Sequence, residues 1–146
     1  MGVSMPPNHA LLTSEPCLRA FHMVQLLRST GEHEFPAPLM ALFFWIAAHD
    51  GCKQADLAKQ IDMSQSSISR NVTWLGPSHR LEHRSGLKLI RRERDPHNYK
   101  AWRIYLTPKG RVFRQLLEDN ATKSIDGYKK ALKEIQDHDK TDEDLG

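Results

Sequence analysis

KQADLAKQIDM (53–63), SQSSISRNVTWL (64–75) and LKLIRRERDPHNYKAWRIYL (87–106), the last closed by TPKG (107–110), follow one another along the chain. The first predicts a short polar helix from about Lys53 to Gln60 that carries Ala55, Leu57, Ala58 and Ile61 inward, with a turn at Asp62-Met63. Ser64 is a good N-cap, because its hydroxyl can accept an orphan amide of the next helix's first turn. Ile68, Val72 and Leu75 then recur on one side of that helix, while Gln65, Ser66, Ser69, Arg70 and Thr73 face the other. A strand signal starts at Leu87, Asp95-Pro96-His97-Asn98 is turn chemistry, and Trp102, Ile104 and Leu106 alternate with Arg103 and Tyr105 on the return. Helix, turn, helix and basic hairpin is the shape of a winged helix-turn-helix.

Working outward, EPCLRAFHMVQLLRS (15–29) places Leu18, Phe21, Val24 and Leu27 at helical spacing before a stop at Thr30-Gly31. Pro36 and Pro38 open a second helix that runs through Ala48, apolar on almost every face and so expected at the centre of the fold. After the hairpin, Thr107-Pro108 starts one long last helix. Its apolar positions Phe113, Leu117, Ile125, Tyr128, Leu132 and Ile135 form a stripe that a lone protomer would leave uncovered. The fold class expected is mainly α with a small β-hairpin wing. A loose tail over 1–14, a single domain over 15–136 and an acidic, frayed tail over 137–146 complete the organisation.

The charge is unevenly placed. Residues 64–117 hold 12 lysines and arginines against 3 acidic residues, whereas 1–63 hold 4 against 6 and 118–146 hold 5 against 9, for a net charge of +3. A basic block that coincides with the helix-turn-helix is the footprint of a phosphate-backbone binder rather than a merely solvated face. Cys17 and Cys52 stand in no CxxC spacing, so neither a disulfide framework nor a zinc knuckle is indicated and a reducing compartment fits. The stretch PLMALFFWIAA is too short for the roughly 20 residues of a bilayer span, and the N-terminus does not read as a signal peptide. The expectation is a cytoplasmic, nucleoid-associated protein with no membrane partner.

A recognition helix needs short polar side chains near its start and longer donors that reach base edges or phosphates. SQSSISR supplies both: Gln65 to pair bidentately with adenine, Arg70 with guanine or a phosphate, and Ser64, Ser66, Ser67, Ser69 and Thr73 as short partners around them. The hairpin adds Arg91, Arg92, Arg94, Lys100 and Arg103, with His97, Asn98 and Tyr99 at its tip, a set suited to straddling the backbone and probing the minor groove. Some of these arginines are expected to pair with Glu93 and Asp95 instead.

RRERDPHNYKAWRIYLTPKG resembles the wing and last-helix start of the MarR family of bacterial winged-helix regulators, whose usual text runs like RRxDPxDRRAxxVxLTxxG. The resemblance covers roughly Leu18 to Leu132. It implies a homodimer built from the first and last helices (about 15–30 and 108–136), a DNA-binding lobe over about 36–107, and double-stranded DNA as partner, with the 64–75 helix in the major groove and the wing beside it. Such regulators are most often repressors, and a small aromatic effector between the lobes is a further implied partner. The chain departs from the pattern in two places. Its wing tip carries Asn98-Tyr99-Lys100 where the family has Arg-Arg, and the link between Leu75 and Leu89 is longer, with Pro77, His79, Arg80, His83 and Arg84.

That insertion contains His79-Arg80-Leu81-Glu82-His83, which matches the H-x-x-E-H text of one zinc peptidase group. It follows Gly-Pro, is too short for a buried helix and has no evident third ligand, so neither catalysis nor a metal or other cofactor is expected. His22 and His49 read as core-edge or cap residues. Cysteine redox sensing at Cys17 or Cys52 stands against the more common buried thiol, and an inducer pocket lined by Phe21, Phe43, Phe44 or Trp45 against simple core packing. Two function classes remain: an operator-binding regulator, and a winged-helix interaction module that uses its basic face on a protein partner such as another regulator.

Overall fold

A computed structural model describes residues 14–32, 34–77 and 85–145. Helix α1 spans Glu15–Arg28, with Ser14 Oγ accepting from the Cys17 amide and Pro16 in the first turn, where its missing N–H costs nothing. Phe21 and Val24 lie exposed on it, at 54% and 37% of their full accessibility, while Leu26 and Leu27 are buried. Of the four residues at helical spacing, Leu27 is buried in the core and Leu18 half-buried, whereas Phe21 and Val24 face outward. Helix α2 (Ala37–Ala48) is central as expected, burying Leu39, Leu42, Phe43, Ile46 and Ala47.

Strand β1 (Cys52–Lys53) follows, then helices α3 (Gln54–Ile61) and α4 (Gln65–Leu75). Asp62 ends α3 in the left-handed conformation at φ 53°, which turns the chain into α4. Leu57 of α3 is buried, but Ala55, expected inward, is exposed. Strands β2 (Ile90–Asp95) and β3 (Asn98–Leu106) form the hairpin, and β1 pairs antiparallel with β3, giving a three-stranded sheet of order β1-β3-β2. The strand expected from Leu87 starts three residues later. Lys88 sits at φ 60°, and the backbone of 87–89 is engaged elsewhere: Leu87 and Leu89 amides donate to the Trp74 and Leu75 carbonyls of α4, and the Thr107 amide donates to the Leu89 carbonyl.

Beyond the hairpin lie two helices, α5 (Pro108–Thr122) and α6 (Ile125–Leu145), where the sequence suggested one. The chain is extended at Lys123, and Ser124 Oγ accepts from the Gly127 amide to restart it. Folding back lets α6 bury Tyr128 against Leu26 and Leu116, with Phe113, Leu117, Leu132 and Ile135 partly buried around them. Much of the stripe is thus covered within one protomer. The helical backbone of α6 continues through Leu145.

The main core joins α2, α3, α4 and the base of the hairpin through Phe43, Ile46, Leu57, Ile68, Leu75 and Ile104. Each such buried side chain contributes roughly 1.5–3 kcal/mol. Among the described residues, no helix is long and apolar enough to cross a membrane.

Candidate nucleic-acid interface

The face of α4 away from the core carries Gln65, Ser66, Ser69 and Arg70, all exposed, with Ser67 and Thr73 half-buried. Ser64 caps the helix as its sequence position suggested, Oγ accepting from the Ser67 amide at 3.1 Å and donating to Ser67 Oγ at 3.0 Å. Ser67 Oγ also accepts from Arg70 at 3.1 Å, which draws that guanidinium along the first turn. Ser64 and Ser67 therefore shape the helix start, with Ser66 Oγ also 3.1 Å from Ser64 Oγ, and Ser66, Ser69 and Arg70 remain exposed beside them. Gln65 Nε2 donates to the Ala55 carbonyl of α3 at 3.4 Å. Thr73 Oγ1 returns to the Ser69 carbonyl at 2.9 Å.

In the wing, the cations divide into two sets. Arg103 Nε donates to Asp95 Oδ2 at 3.0 Å and its Nη1 to the Gly51 carbonyl at 2.9 Å, so this side chain ties the hairpin to the α2–β1 turn. Asp95 is buried, and its carboxyl is held below the ordinary range, first by the His97 amide donating to Oδ1 at 2.8 Å and then by Arg103. Arg91 pairs with Glu93 and lies over the Tyr105 ring at 4.8 Å. Among the described residues, Arg92, Arg94 and Lys100 form no ion pair. Arg92 and Arg94 both stack on Trp102, at 4.6 and 3.8 Å from the ring centroid, and Arg94 also lies 5.3 Å from the ring of Tyr99. Two like charges are thus held on one indole. At the tip, His97, Asn98, Tyr99 and Lys100 are all exposed, and Asn98 Oδ1 accepts from the Lys100 amide at 3.2 Å.

Sequence reasoning missed Gln54, whose Oε1 meets Arg92 at 3.5 Å, and the role of Trp102 as a platform. An arginine pair spaced by two opposite a tryptophan was the available signal, but it needs the strand register to be known. The cleft between α4 and the hairpin, about 300 Å³, is lined by Val72, Thr73, Ile90, Arg92 and Trp102, so helix and wing form one continuous surface.

The aromatic residues proposed for an inducer pocket do not share one. Phe43 is buried in the core and Phe21 is exposed on α1, while Phe44 and Trp45 line an open groove with His49 and Ile61. His49 is the cap residue of α2, stacked on Trp45 at 4.0 Å. A larger cavity of about 850 Å³ lies between α1, α5 and α6, bounded by Leu26, Thr30, Lys109, Phe113 and Ile135. Burial, with Lys88 nearby, lowers the Lys109 ammonium's pKa, and its Nζ donates to the Leu87 carbonyl at 3.0 Å. Cys17 is exposed and Cys52 half-buried, the latter thiol pushed up in pKa by burial, which opposes reactivity. The H-x-x-E-H segment lies outside the described residues.

No protein-family model and no curated protein sequence matches the chain. Solved structures do. The chain is similar to MepR of S. aureus, solved as a DNA complex, at 17% identity over 88% of this chain and 90% of that one, with a TM-score of 0.50. It is similar to a MarR transcriptional regulator from Methanosarcina mazei Go1 at 11% identity, over 90% and 93% of the two chains, with a TM-score of 0.53. FabT of Streptococcus pneumoniae, solved in complex with DNA, gives 15% identity, 90% and 91% coverage and a TM-score of 0.53. The chain has the winged-helix fold of MarR-type regulators.

Proposed function

We infer that the chain is a dimeric, sequence-specific DNA-binding transcriptional regulator, a repressor, that acts at the nucleoid in the cytoplasm and catalyses no reaction. The observation that carries this reading is the joint surface of α4 and the wing. Gln65, Ser66, Ser69 and Arg70 are exposed on a helix whose opposite side is anchored in the core, and Arg92, Arg94 and Lys100 of the wing form no ion pair among the described residues. Exposed polar side chains on a rigid helix read base edges, and unpaired cations on a neighbouring hairpin neutralise phosphates. Two of the fold's neighbours were themselves solved with DNA. The cavity between α1, α5 and α6 is the place for a small aromatic effector, with Phe113 on its apolar wall and Lys109 at its polar edge.

Fluorescence anisotropy with a duplex enriched by selection and with a random duplex, at several salt concentrations, tests the reading. The selected duplex is expected to bind at least about a thousandfold more tightly, with Arg70→Ala and Gln65→Ala each removing about 1–3 kcal/mol of that preference. Equal, weak binding of both duplexes overturns it and leaves the basic face to a protein partner.

A further inference from the structure

We propose that Tyr99 is the side chain with which the wing enters the minor groove, that Arg94 is held against it to meet the bordering phosphates, and that the wing thereby selects A·T-rich flanks. The inference rests on the DNA-binding reading above and specifies how its wing acts.

The strand register is the first observation. Arg94 pairs with Trp102, but the next residue, Asp95, pairs with Asn98, so Tyr99, Lys100 and Ala101 have no opposite number on β2. A bulge of this kind bends its strand and re-aims the side chains on it. Tyr99 is 79% exposed, an unusual position for a large aromatic ring. The tip that carries it is nevertheless fixed, by the His97 amide on Asp95, by Arg103 on the same carboxylate and by the Lys100 amide on Asn98.

The second observation is what lies behind the ring. Arg94 is held by Trp102 at 3.8 Å and by Tyr99 at 5.3 Å, and Arg92 follows on the same indole. Stacking on the rings leaves the edges of a guanidinium free to donate, and neither arginine forms an ion pair among the described residues. The tip therefore presents an exposed aromatic ring beside arginines that form no ion pair among the described residues. That combination matches the minor groove, which is about 6 Å wide, walled by sugars and bordered by phosphates. The guanine 2-amino group projects from the floor of that groove, and A·T pairs leave the space to the ring.

Binding of the full chain to selected duplexes whose flanks are A·T, G·C or inosine·cytosine tests this, because inosine·cytosine has the minor-groove floor of A·T with the major-groove edge of G·C. Wild-type protein is expected to bind A·T and inosine·cytosine flanks alike and G·C flanks about tenfold more weakly. Tyr99→Ala, a change at an exposed position, is expected to abolish that difference with an unchanged salt slope, whereas Arg94→Ala lowers the slope by about one. Wild-type indifference to the flank, a preference that follows A·T against both other flanks, or Tyr99→Ala retaining the preference overturns the proposal. If Arg70→Ala still loses affinity in those cases, the DNA-binding reading stands without it; wild-type binding to no duplex overturns both.

Discussion

Asp95 is the residue on which the geometry of the wing turns. One carboxylate accepts from the His97 amide, closing the hairpin turn, and from Arg103, whose other arm reaches the Gly51 carbonyl. Arg103 thus positions the wing, while Arg92, Arg94 and Lys100 form no ion pair among the described residues and are the cations proposed to meet DNA. Since the folded-state pKa of Asp95 lies below its ordinary value, its contribution to stability is complete above the ordinary carboxylate range and is lost as the pH falls through that range toward the depressed value. Urea unfolding should give Asp95→Asn a lower midpoint than wild type, with a gap that is constant above about pH 5 and narrows below it. A gap independent of pH would show that the charge on Asp95 is immaterial.

At the scale of elements, the joint between the hairpin and α5 depends on Gly110. A Cβ there would lie 2.0 Å from the Leu89 carbonyl oxygen and 3.1 Å from Leu106 Cδ2, so the first turn of α5 packs directly on the backbone before β2. Gly110→Ala is expected to destabilise the protein by roughly 3 kcal/mol, read as a fall in the denaturant midpoint; a wild-type midpoint would refute the close approach. The same joint marks how much was legible in the chain. Thr107-Pro108 announced α5, and Ser64 announced α4, because caps are local chemistry. Strand β1 went unread because two residues, Cys52 and Lys53, carry no periodicity and become a strand only by pairing with Ile104 and Arg103. The break at Lys123-Ser124 lacks glycine or proline, and the stripe resumes at Ile125 and Tyr128, so the sequence looked continuous. In the interface, the α4 side chains followed from helical period alone. The Trp102 platform and the bulge at Tyr99 depend on register between strands, which no local pattern states.

For the whole molecule, the break between α5 and α6 moves the argument for a homodimer from one element to another. Since Tyr128, Leu132 and Ile135 pack against Leu26 and Leu116 within the protomer, the large apolar side chains left exposed on the described helices are Phe21 and Val24 of α1 and Val112 of α5, with Phe21 the largest. Arg19 fastens this helix to the end of α5, donating to the Asn120 and Lys123 carbonyls, and Asn120 Nδ2 returns a bond to the Arg19 carbonyl. In the same seat His22 Nε2 and Asn120 Oδ1 are buried without a hydrogen-bond partner among the described residues. Burying one phenylalanine per protomer contributes roughly 1.5–3 kcal/mol, so a two-fold contact counts Phe21 twice. Phe21→Asp should therefore convert the proposed dimer to a monomer in sedimentation equilibrium. Its affinity for a duplex with two half-sites should fall to that for one half-site, while single-half-site affinity is unchanged, because Phe21 lies on α1 and not on α4 or the wing. A variant that stays dimeric with full two-site affinity would place the interface elsewhere than on this face of α1.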